Sequence, residues 1–257
     1  MLGAIAGDII GSIYEGRPIK SKDFELCNPR CTFTDDTVLS VAVADALLNG
    51  RDYVEALQDY FHAYPDAGFG AGFIEWAWSR MRTPYNSWGN GSAMRVSPVA
   101  FAFHTLDEVL DEARRSAEVT HNHPEGVRGA EATAGCVFLA WTGASKNEIR
   151  DFVQDRIGYD LSQTLDEIRP NYAPDISCQG SVPQSILAFL ESKDFEDAVR
   201  NAISLGGDAD TMANIAGAIA HAHHGGIPKG IRNWVMGILD ERLRSVVESF
   251  NTQYGVP

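Results

Sequence analysis

The sequence predicts an all-α fold in one domain, and three observations favour it. Apolar residues recur at three- and four-residue steps through most of the 257 positions, and the alternation typical of strands is almost absent. A chain of this length with 44% hydrophobic residues can bury one large core. No repeat and no low-complexity linker divides the chain, so residues 1–257 are predicted to form a single domain.

The individual helices follow from this periodicity and from breakers such as Asn49-Gly50 between them. Residues 2–15 form the first predicted helix, and residues 35–49 form a second one that is apolar on most faces, as in a buried central helix. The longest predicted irregular region is 157–182. The other predicted helices lie at 52–63, 71–82, 91–103, 106–118, 126–142, 146–156, 183–191, 194–204, 209–224 and 230–250.

Charge and composition exclude several classes of protein. A formal charge of −14 opposes general nucleic-acid binding, which needs clustered Lys and Arg. No uncharged apolar stretch approaches the roughly 18 residues of a membrane span, and the first residues lack a basic region, so a cytoplasmic protein without membrane contact is expected. The four scattered cysteines predict reduced thiols rather than a disulfide framework or a zinc site.

Three acidic motifs stand at helix edges bounded by Gly or Thr. Packing explains them poorly, because carboxylates are seldom buried without a partner. They are Gly7-Asp8 with the following Glu15, Thr34-Asp35-Asp36-Thr37, and Gly206-Gly207-Asp208-Ala209-Asp210-Thr211.

Helix capping is the simplest explanation of each motif alone. A capping Asp contributes about 1 kcal/mol, and Asp35 and Asp208 both precede predicted helices. Capping uses one carboxylate per helix, however, and leaves Asp36 and Asp210 unexplained. For Asp8, capping or support of a neighbouring ligand is as good a reading as direct metal binding.

Taken together, the acidic motifs predict a cation site. Four carboxylates brought close would repel one another, and a hard divalent cation removes that penalty. Oxygen ligands suit magnesium or manganese, whereas zinc would favour Cys or His beside the aspartates. Two aspartate pairs have enough ligands for two ions about 3.5–4 Å apart, as in many hydrolases.

Residues 85–98, "YNSWGNGSAMRVSP", have the character of an anion-binding segment. Gly89 and Gly91 leave backbone amides accessible just before a predicted helix, an arrangement that receives phosphate. Ser92 adds a hydroxyl and Arg95 a guanidinium, and His121 follows later in a separate turn. Such a glycine pair alone is a weak signal.

The complete set of motifs resembles the ADP-ribosylglycohydrolase family. Its "GDxxGS" with Glu15, "FTDDT", "GNGSAMR", "TH" turn and "GGDADT" occur here in the family's order and span residues 3–217. The resemblance implies a compact single-domain orthogonal helical bundle. It also implies a cleft that holds two Mg²⁺ or Mn²⁺ ions.

The resemblance implies a role for each motif. The metal ligands would be Thr34, Asp35, Asp36, Asp208, Asp210 and Thr211. Glu15 and Asp36 would be the catalytic residues. The substrate-binding residues would be Gly70 in the 66–73 loop, Gly89, Asn90, Gly91, Ser92, Met94, Arg95 and His121, with Tyr85 and Trp88 as walls for the adenine.

The implied activity is cleavage of the glycosidic bond between an ADP-ribosyl group and its acceptor, which releases ADP-ribose. The partner would be an ADP-ribosylated molecule, most simply a protein side chain such as arginine or serine, with a nucleic-acid base or a small molecule as alternatives. Two other functions stay open: a different dinuclear-metal nucleotide hydrolase, and a non-catalytic ADP-ribose-binding relative. The "HAHH" at residues 221–224 is expected to complement a helix dipole rather than bind metal.

Overall fold

The computed structural model describes residues 1–257 and contains helices and no strand. The all-α class predicted from the sequence is therefore confirmed. The α-helices are α1 (Leu2–Gly11), α2 (Asp35–Asn49), α3 (Tyr53–Ala63), α4 (Ala71–Trp78), α5 (Gly91–Met94), α6 (Val99–Ala102), α7 (Leu106–Glu118), α8 (Pro124–Trp141), α9 (Lys146–Asp151), α10 (Leu165–Ile168), α11 (Cys178–Leu190), α12 (Phe195–Ile203), α13 (Ala209–His224), α14 (Lys229–Ile238) and α15 (Glu241–Tyr254). A π-helical turn, Phe152–Ile157, continues α9.

Helices with strong boundary signals have the predicted limits. The predictions for α2, α7 and α13 coincide with the structure. Thr34 caps α2 by accepting from the Asp36 amide, and Thr105 and Glu108 form a reciprocal capping box at the start of α7. Gly50 ends α2 and Gly225 ends α13, both in the left-handed conformation.

Four predicted segments differ from the structure. The predicted helix 91–103 is interrupted before Pro98, which removes a backbone donor, and becomes α5 and α6. The predicted helix 230–250 breaks because the Asp240 side chain accepts a hydrogen bond from the Leu243 amide at 2.9 Å and starts α15. Helix α11 begins before Pro183, since Ser177 caps it, and α10 lies within the predicted irregular region, where Thr164 starts it with a capping box.

Helix α13 lies at the centre of the core and packs unusually close to α1. Its residues from Ala209 to Ala222 are buried, and α1 meets them through Gly3, Gly7 and Gly11. A Cβ added at Gly7 would overlap the Ala213 carbonyl, and one at Gly11 would lie 2.5 Å from Asp210 Cα. The end of α1 is thereby held directly against the start of α13.

The buried apolar side chains form one continuous cluster that extends from Met1 to Val256. None of the helices combines the length and apolar character needed to span a bilayer. The core leaves the start of α2, the start of α13 and the turn after α1 beside one another. These three chain segments carry the acidic motifs.

Candidate active site

A cavity of about 370 Å³ opens where the starts of α2 and α13 meet the turn after α1. Its other walls come from the loop before α4 and from the segment that leads into α5. It is lined by Glu15, Asp35, Asp36, Leu39, Gly68, Gly70, Ala71, Gly72, Phe73, Tyr85, Ser87, Gly89, Asn90, Gly91, Met94, Arg95, His121, Ile176, Asp208, Asp210 and Thr211.

Carboxylates from three distant motifs converge on this cavity. Oxygen atoms of Glu15, Asp208 and Asp210 lie within 4.8 Å of one another. From α2, Asp36 accepts a hydrogen bond on Oδ1 from Thr211 Oγ1 at 3.1 Å, which links the starts of α2 and α13. The second carboxylate oxygen of Asp36, Oδ2, is buried and has no hydrogen-bond partner.

Capping does not account for the aspartates at the two helix starts. The cap of α2 is Thr34, not Asp35. Asp208 occupies the cap position of α13, yet its side chain makes no cap hydrogen bond. Instead Asp208 Oδ2 accepts from Asn90 Nδ2 at 2.7 Å, so Asn90 holds this carboxylate toward the cavity.

Asp8 is buried and does not line the cavity. Its Oδ1 accepts from Thr34 Oγ1 at 2.7 Å, and its Oδ2 accepts from the amides of Thr34 at 3.1 Å and Thr37 at 3.0 Å and from the Thr37 hydroxyl. The structure therefore places Asp8 as the anchor that ties the start of α2 to α1. Thr34, predicted as a ligand, also lies outside the lining, and its hydroxyl is engaged by Asp8 and by the Asp36 amide.

The crowding of carboxylates strongly disfavours their ionised forms. Burial, reinforced by Asp8, Asp208 and Glu15, raises the pKa of Asp35 to about 8. Burial, followed by the charge of Asp210, raises the pKa of Asp36 well above the ordinary range, and burial followed by the charge of Asp208 does the same for Asp210. Partial burial, followed by the charges of Asp208 and Asp8, also raises the pKa of Glu15, although its side chain is exposed at the cavity.

The donor set fits a hard divalent cation. All of the converging ligand atoms are carboxylate or hydroxyl oxygens, the class that magnesium and manganese prefer. Asp36 Oδ2 is enclosed and unpaired, which a protein normally avoids. A bound cation would satisfy that oxygen and remove the repulsion between the carboxylates.

The predicted anion-binding segment lies against the acidic cluster, but some of its hydrogen-bond donors already have acceptors within the protein. The Gly89 amide donates to Ser87 Oγ at 3.1 Å, and the Asn90 amide donates to the Ile176 carbonyl at 2.8 Å. Ser92 is buried outside the lining, where its hydroxyl donates to the Gly126 carbonyl at 2.6 Å. The amides of Gly91 and Ser92 have no acceptor within the protein.

Arg95 is one of the residues that line the cavity, but its hydrogen bonds run to Ser116 and Thr120, which do not line it. Its side chain is fully buried, and one nitrogen donates to the Ser116 carbonyl and to Thr120 Oγ1, both at 2.9 Å. Met94 lines the cavity and places its sulfur 3.9 Å from Thr211 Oγ1. His121 also lines it, with its Nδ1 2.7 Å from Thr120 Oγ1.

The aromatic and glycine-rich walls are close to the prediction, with one addition. Gly70 and Tyr85 line the cavity, whereas Trp88 stays outside the lining and is 54% exposed. Ile176, which sequence reasoning missed, is 71% exposed at the mouth. It arrives there through the backbone pairing of Gly89 with Ser177, and no local pattern in the irregular region signals that pairing.

The all-helical fold and the acidic cavity beside a glycine-rich segment agree with the class that the sequence motifs imply, hydrolases that act on glycosyl bonds. The model of the ADP-ribosylglycohydrolase family matches residues 1–256, and the chain belongs to that family. The predicted family and enzyme class are therefore confirmed.

The chain is similar to named relatives along most of its length. It is 28% identical to human ADP-ribosylhydrolase ARH3 over 305 residues, with 88% of this chain and 84% of the relative covered. It is 28% identical to the ADP-ribosylarginine hydrolase Tri1 of Pseudomonas putida, with 88% and 69% covered. A solved structure, an ADP-ribosylglycohydrolase-related protein complex, has a TM-score of 0.75 and 27% identity, with 98% of this chain and 95% of that chain covered.

Proposed function

We propose that this protein hydrolyses the glycosidic bond between an ADP-ribosyl group and its acceptor, and that it releases ADP-ribose with the help of two Mg²⁺ or Mn²⁺ ions. The observation that carries this proposal is the convergence of Glu15, Asp208 and Asp210 with the two aspartates of α2 at one cavity. Family membership supports the substrate class. A protein side chain is the proposed acceptor.

The cations would be held by Asp35, Asp36, Asp208, Asp210 and Thr211, whose oxygens line the cavity. Thr34 is the remaining candidate ligand, through a hydroxyl that already donates to Asp8 and accepts from the Asp36 amide. When bound, the ions supply Lewis acidity that lowers the pKa of water and orients ribose hydroxyls. The protein's contribution is to hold five residues with oxygen ligands at the starts of two helices.

The chain's own carboxylates would serve the reaction electrostatically and as proton carriers. Positive charge develops at the anomeric carbon as the bond to the acceptor breaks, and nearby carboxylates stabilise it. Hydroxide from water joins that carbon, while the proton of the water passes to Glu15 or Asp36 and a proton reaches the departing acceptor. Burial raises the pKa of Glu15, which makes its carboxylate a better acceptor of a proton from water.

The test is release of ADP-ribose from arginine- and serine-ADP-ribosylated peptides, with MgCl₂ or with a chelator. We expect release with metal, and its loss in Asp35→Ala and Asp208→Ala. Asp111→Ala is the matched control, because Asp111 is exposed on α7 away from the cavity. The peptide that is cleaved names the acceptor.

Four outcomes would contradict parts of this proposal. Cleavage that survives chelation would refute the cation requirement. Inorganic phosphate as the product would favour a nucleotide phosphatase. Tight ADP-ribose binding without cleavage of either linkage would refute both acceptors, and absence of binding would refute the substrate class.

A further inference from the structure

Arg95 is a buried cation without a carboxylate partner. Its side chain has no exposed surface, and no acidic residue lies within ion-pair distance of it. Its only hydrogen bonds run from one nitrogen to the Ser116 carbonyl and to Thr120 Oγ1, each 2.9 Å long. Because a buried guanidinium is costly, its placement against a single hydroxyl calls for a reason beyond packing.

Thr120 Oγ1 contacts both Arg95 and His121, and its bond to Arg95 determines which atom donates in its bond to His121. A guanidinium nitrogen only donates, so Oγ1 accepts from Arg95. The hydroxyl hydrogen then has one acceptor within the protein, Nδ1 of His121 at 2.7 Å. The reverse arrangement, with Nδ1 donating to Oγ1, would leave the hydroxyl hydrogen buried and unpaired, at a cost of about 1–3 kcal/mol.

We propose that Arg95 and Thr120 are positioning residues that hold neutral His121 with its proton on Nε2, so that this N–H is a hydrogen-bond donor toward a substrate oxygen in the cavity. The imidazole has a single ring proton when neutral, so an accepting Nδ1 places that proton on Nε2. The proposal rests on the proposed function for the identity of the acceptor, a phosphate or ribose oxygen of ADP-ribose. It assigns Arg95 an indirect role in place of the direct contact expected from the sequence.

The surroundings of His121 support this assignment. A Cβ at Gly91 would lie 3.1 Å from Nε2, and one at Gly89 would lie 3.7 Å from it, so the absence of side chains keeps Nε2 accessible. Nε2 has no hydrogen-bond partner in the protein, while the ring contacts Tyr85 edge-on with centroids 5.9 Å apart. Burial, and then the charge of Arg95, lowers the pKa of His121 well below its ordinary value, which keeps the ring neutral.

The direct test reads the tautomer by ¹H–¹⁵N correlation NMR of the His121 ring in the ¹⁵N-labelled full-length protein without ligand. We expect Nε2–H in the wild type and in Thr120→Ser, which keeps the hydroxyl. Thr120→Val removes the hydroxyl and should populate the tautomer with its proton on Nδ1. Arg95→Leu should populate the same tautomer, because Thr120 Oγ1 is then free to accept a hydrogen bond from the ring. Thr133→Val is the matched control, since Thr133 is buried and its hydroxyl has no partner.

The functional readout is the Kd of ADP-ribose, measured by calorimetry on the same proteins. Thr120→Val should weaken binding about tenfold, the effect of one hydrogen bond, and Thr120→Ser should restore it. His121→Ala should weaken binding at least as much as Thr120→Val.

Several results would overturn the proposed positioning of His121 by Arg95 and Thr120, which we call the relay. A wild-type ring with its proton on Nδ1 would do so without any variant, and so would an unchanged tautomer in Thr120→Val. Equal affinity in the Val and Ser variants would refute the donation to substrate. Failure of the wild type to bind ADP-ribose would instead contradict the proposed function, and the tautomer would still decide whether the relay exists.

Discussion

Asn90 controls the direction of the Asp208 carboxylate, although it belongs to the segment expected to bind substrate. Its side-chain amide donates to Asp208 Oδ2 at 2.7 Å and to Ser181 Oγ at 3.2 Å, and both contacts are buried. Asp208 would otherwise turn back to cap α13, as aspartates at helix starts usually do. A neutral donor therefore keeps a candidate ligand available for a cation.

Asn90→Ala should weaken cation binding more than it weakens folding. Removal of a hydrogen-bond partner of a metal ligand typically lowers metal affinity about 10- to 100-fold. The Mg²⁺ concentration that gives half-maximal ADP-ribose release should rise by such a factor, and it should stay unchanged in Asn233→Ala on the exposed side of α14. An unchanged Mg²⁺ requirement in Asn90→Ala would contradict the assigned role.

Helix α1 brings the acidic turn to the cavity by means of its glycines. Gly7 and Gly11 allow the backbones of α1 and α13 to touch, and this approach places Glu15 beside Asp210. Asp8, on the same helix, anchors the start of α2 through Thr34 and Thr37. One short helix thus positions both neighbouring groups of carboxylates.

Gly7→Ala should destabilise the protein, because the new methyl group would overlap the Ala213 carbonyl and force α1 away from α13. Overpacking of this kind costs about 1–3 kcal/mol or more in the free energy of unfolding. Denaturant unfolding measures it. Gly237→Ala in α14 is the control, since nothing lies near its Cβ and the helix gains about 1 kcal/mol from alanine. Equal stability of the two variants would refute close packing at Gly7.

At the scale of the whole molecule, folding brings the carboxylates of the cavity together despite their electrostatic repulsion. The formal charge is −14, and the carboxylates of the cavity come from residues as distant in sequence as Glu15 and Asp210. Repulsion among them destabilises the folded chain only, because unfolding separates them in water. A bound cation should reverse this effect.

Asp36→Asn should therefore change stability in opposite directions with and without metal. In chelator, Asn removes a carboxyl group whose ionisation is opposed by burial in the folded state, so the midpoint of thermal unfolding should rise relative to wild type. With MgCl₂ the wild type should gain stability by mass action, and the variant should gain less because it lacks a ligand. Differential scanning fluorimetry measures both effects. A variant that gains as much from MgCl₂ as the wild type would contradict the role of Asp36 as a ligand.

The pH dependence of stability in chelator follows from the same crowding. Burial raises the pKa of Asp35 from 3.8 to about 8 in the folded state, so the folded chain binds more protons than the unfolded chain between these values. The contribution of Asp35 to the free energy of unfolding should then fall as the pH rises through this range. Thermal unfolding of wild type and Asp35→Asn at several pH values measures it. An identical pH profile in the two proteins would contradict the raised pKa.

Much of the fold was predictable because its signals are local. Helices α2, α7 and α13 have clear boundary residues and uninterrupted periodicity, and their limits agree with the prediction. The breaks at Pro98 and Asp240 were missed because the apolar pattern continues across them. Helix α11 starts earlier than predicted because Ser177 caps it. The prediction placed the start at Pro183, which lies inside the helix.

The candidate site was predictable only as a set of residues. The carboxylates and most of the expected substrate segment do line one cavity. The role of each residue could not be predicted from the sequence pattern, because it depends on contacts between segments that are distant in sequence. Asp8 supports α2, Ser92 contacts Gly126, and Arg95 donates to Thr120.

By itself, the sequence determined the helical class, the family and the oxygen-rich chemistry of the cavity, because periodicity and residue type are properties of short stretches of chain. Tertiary structure alone decided that Asp208 faces Asn90, that Ile176 lines the cavity and that His121 Nδ1 lies 2.7 Å from Thr120 Oγ1. The physical reason is that each of these roles depends on which donor lies within about 3 Å of which acceptor. Packing of helices that are remote in sequence sets those distances.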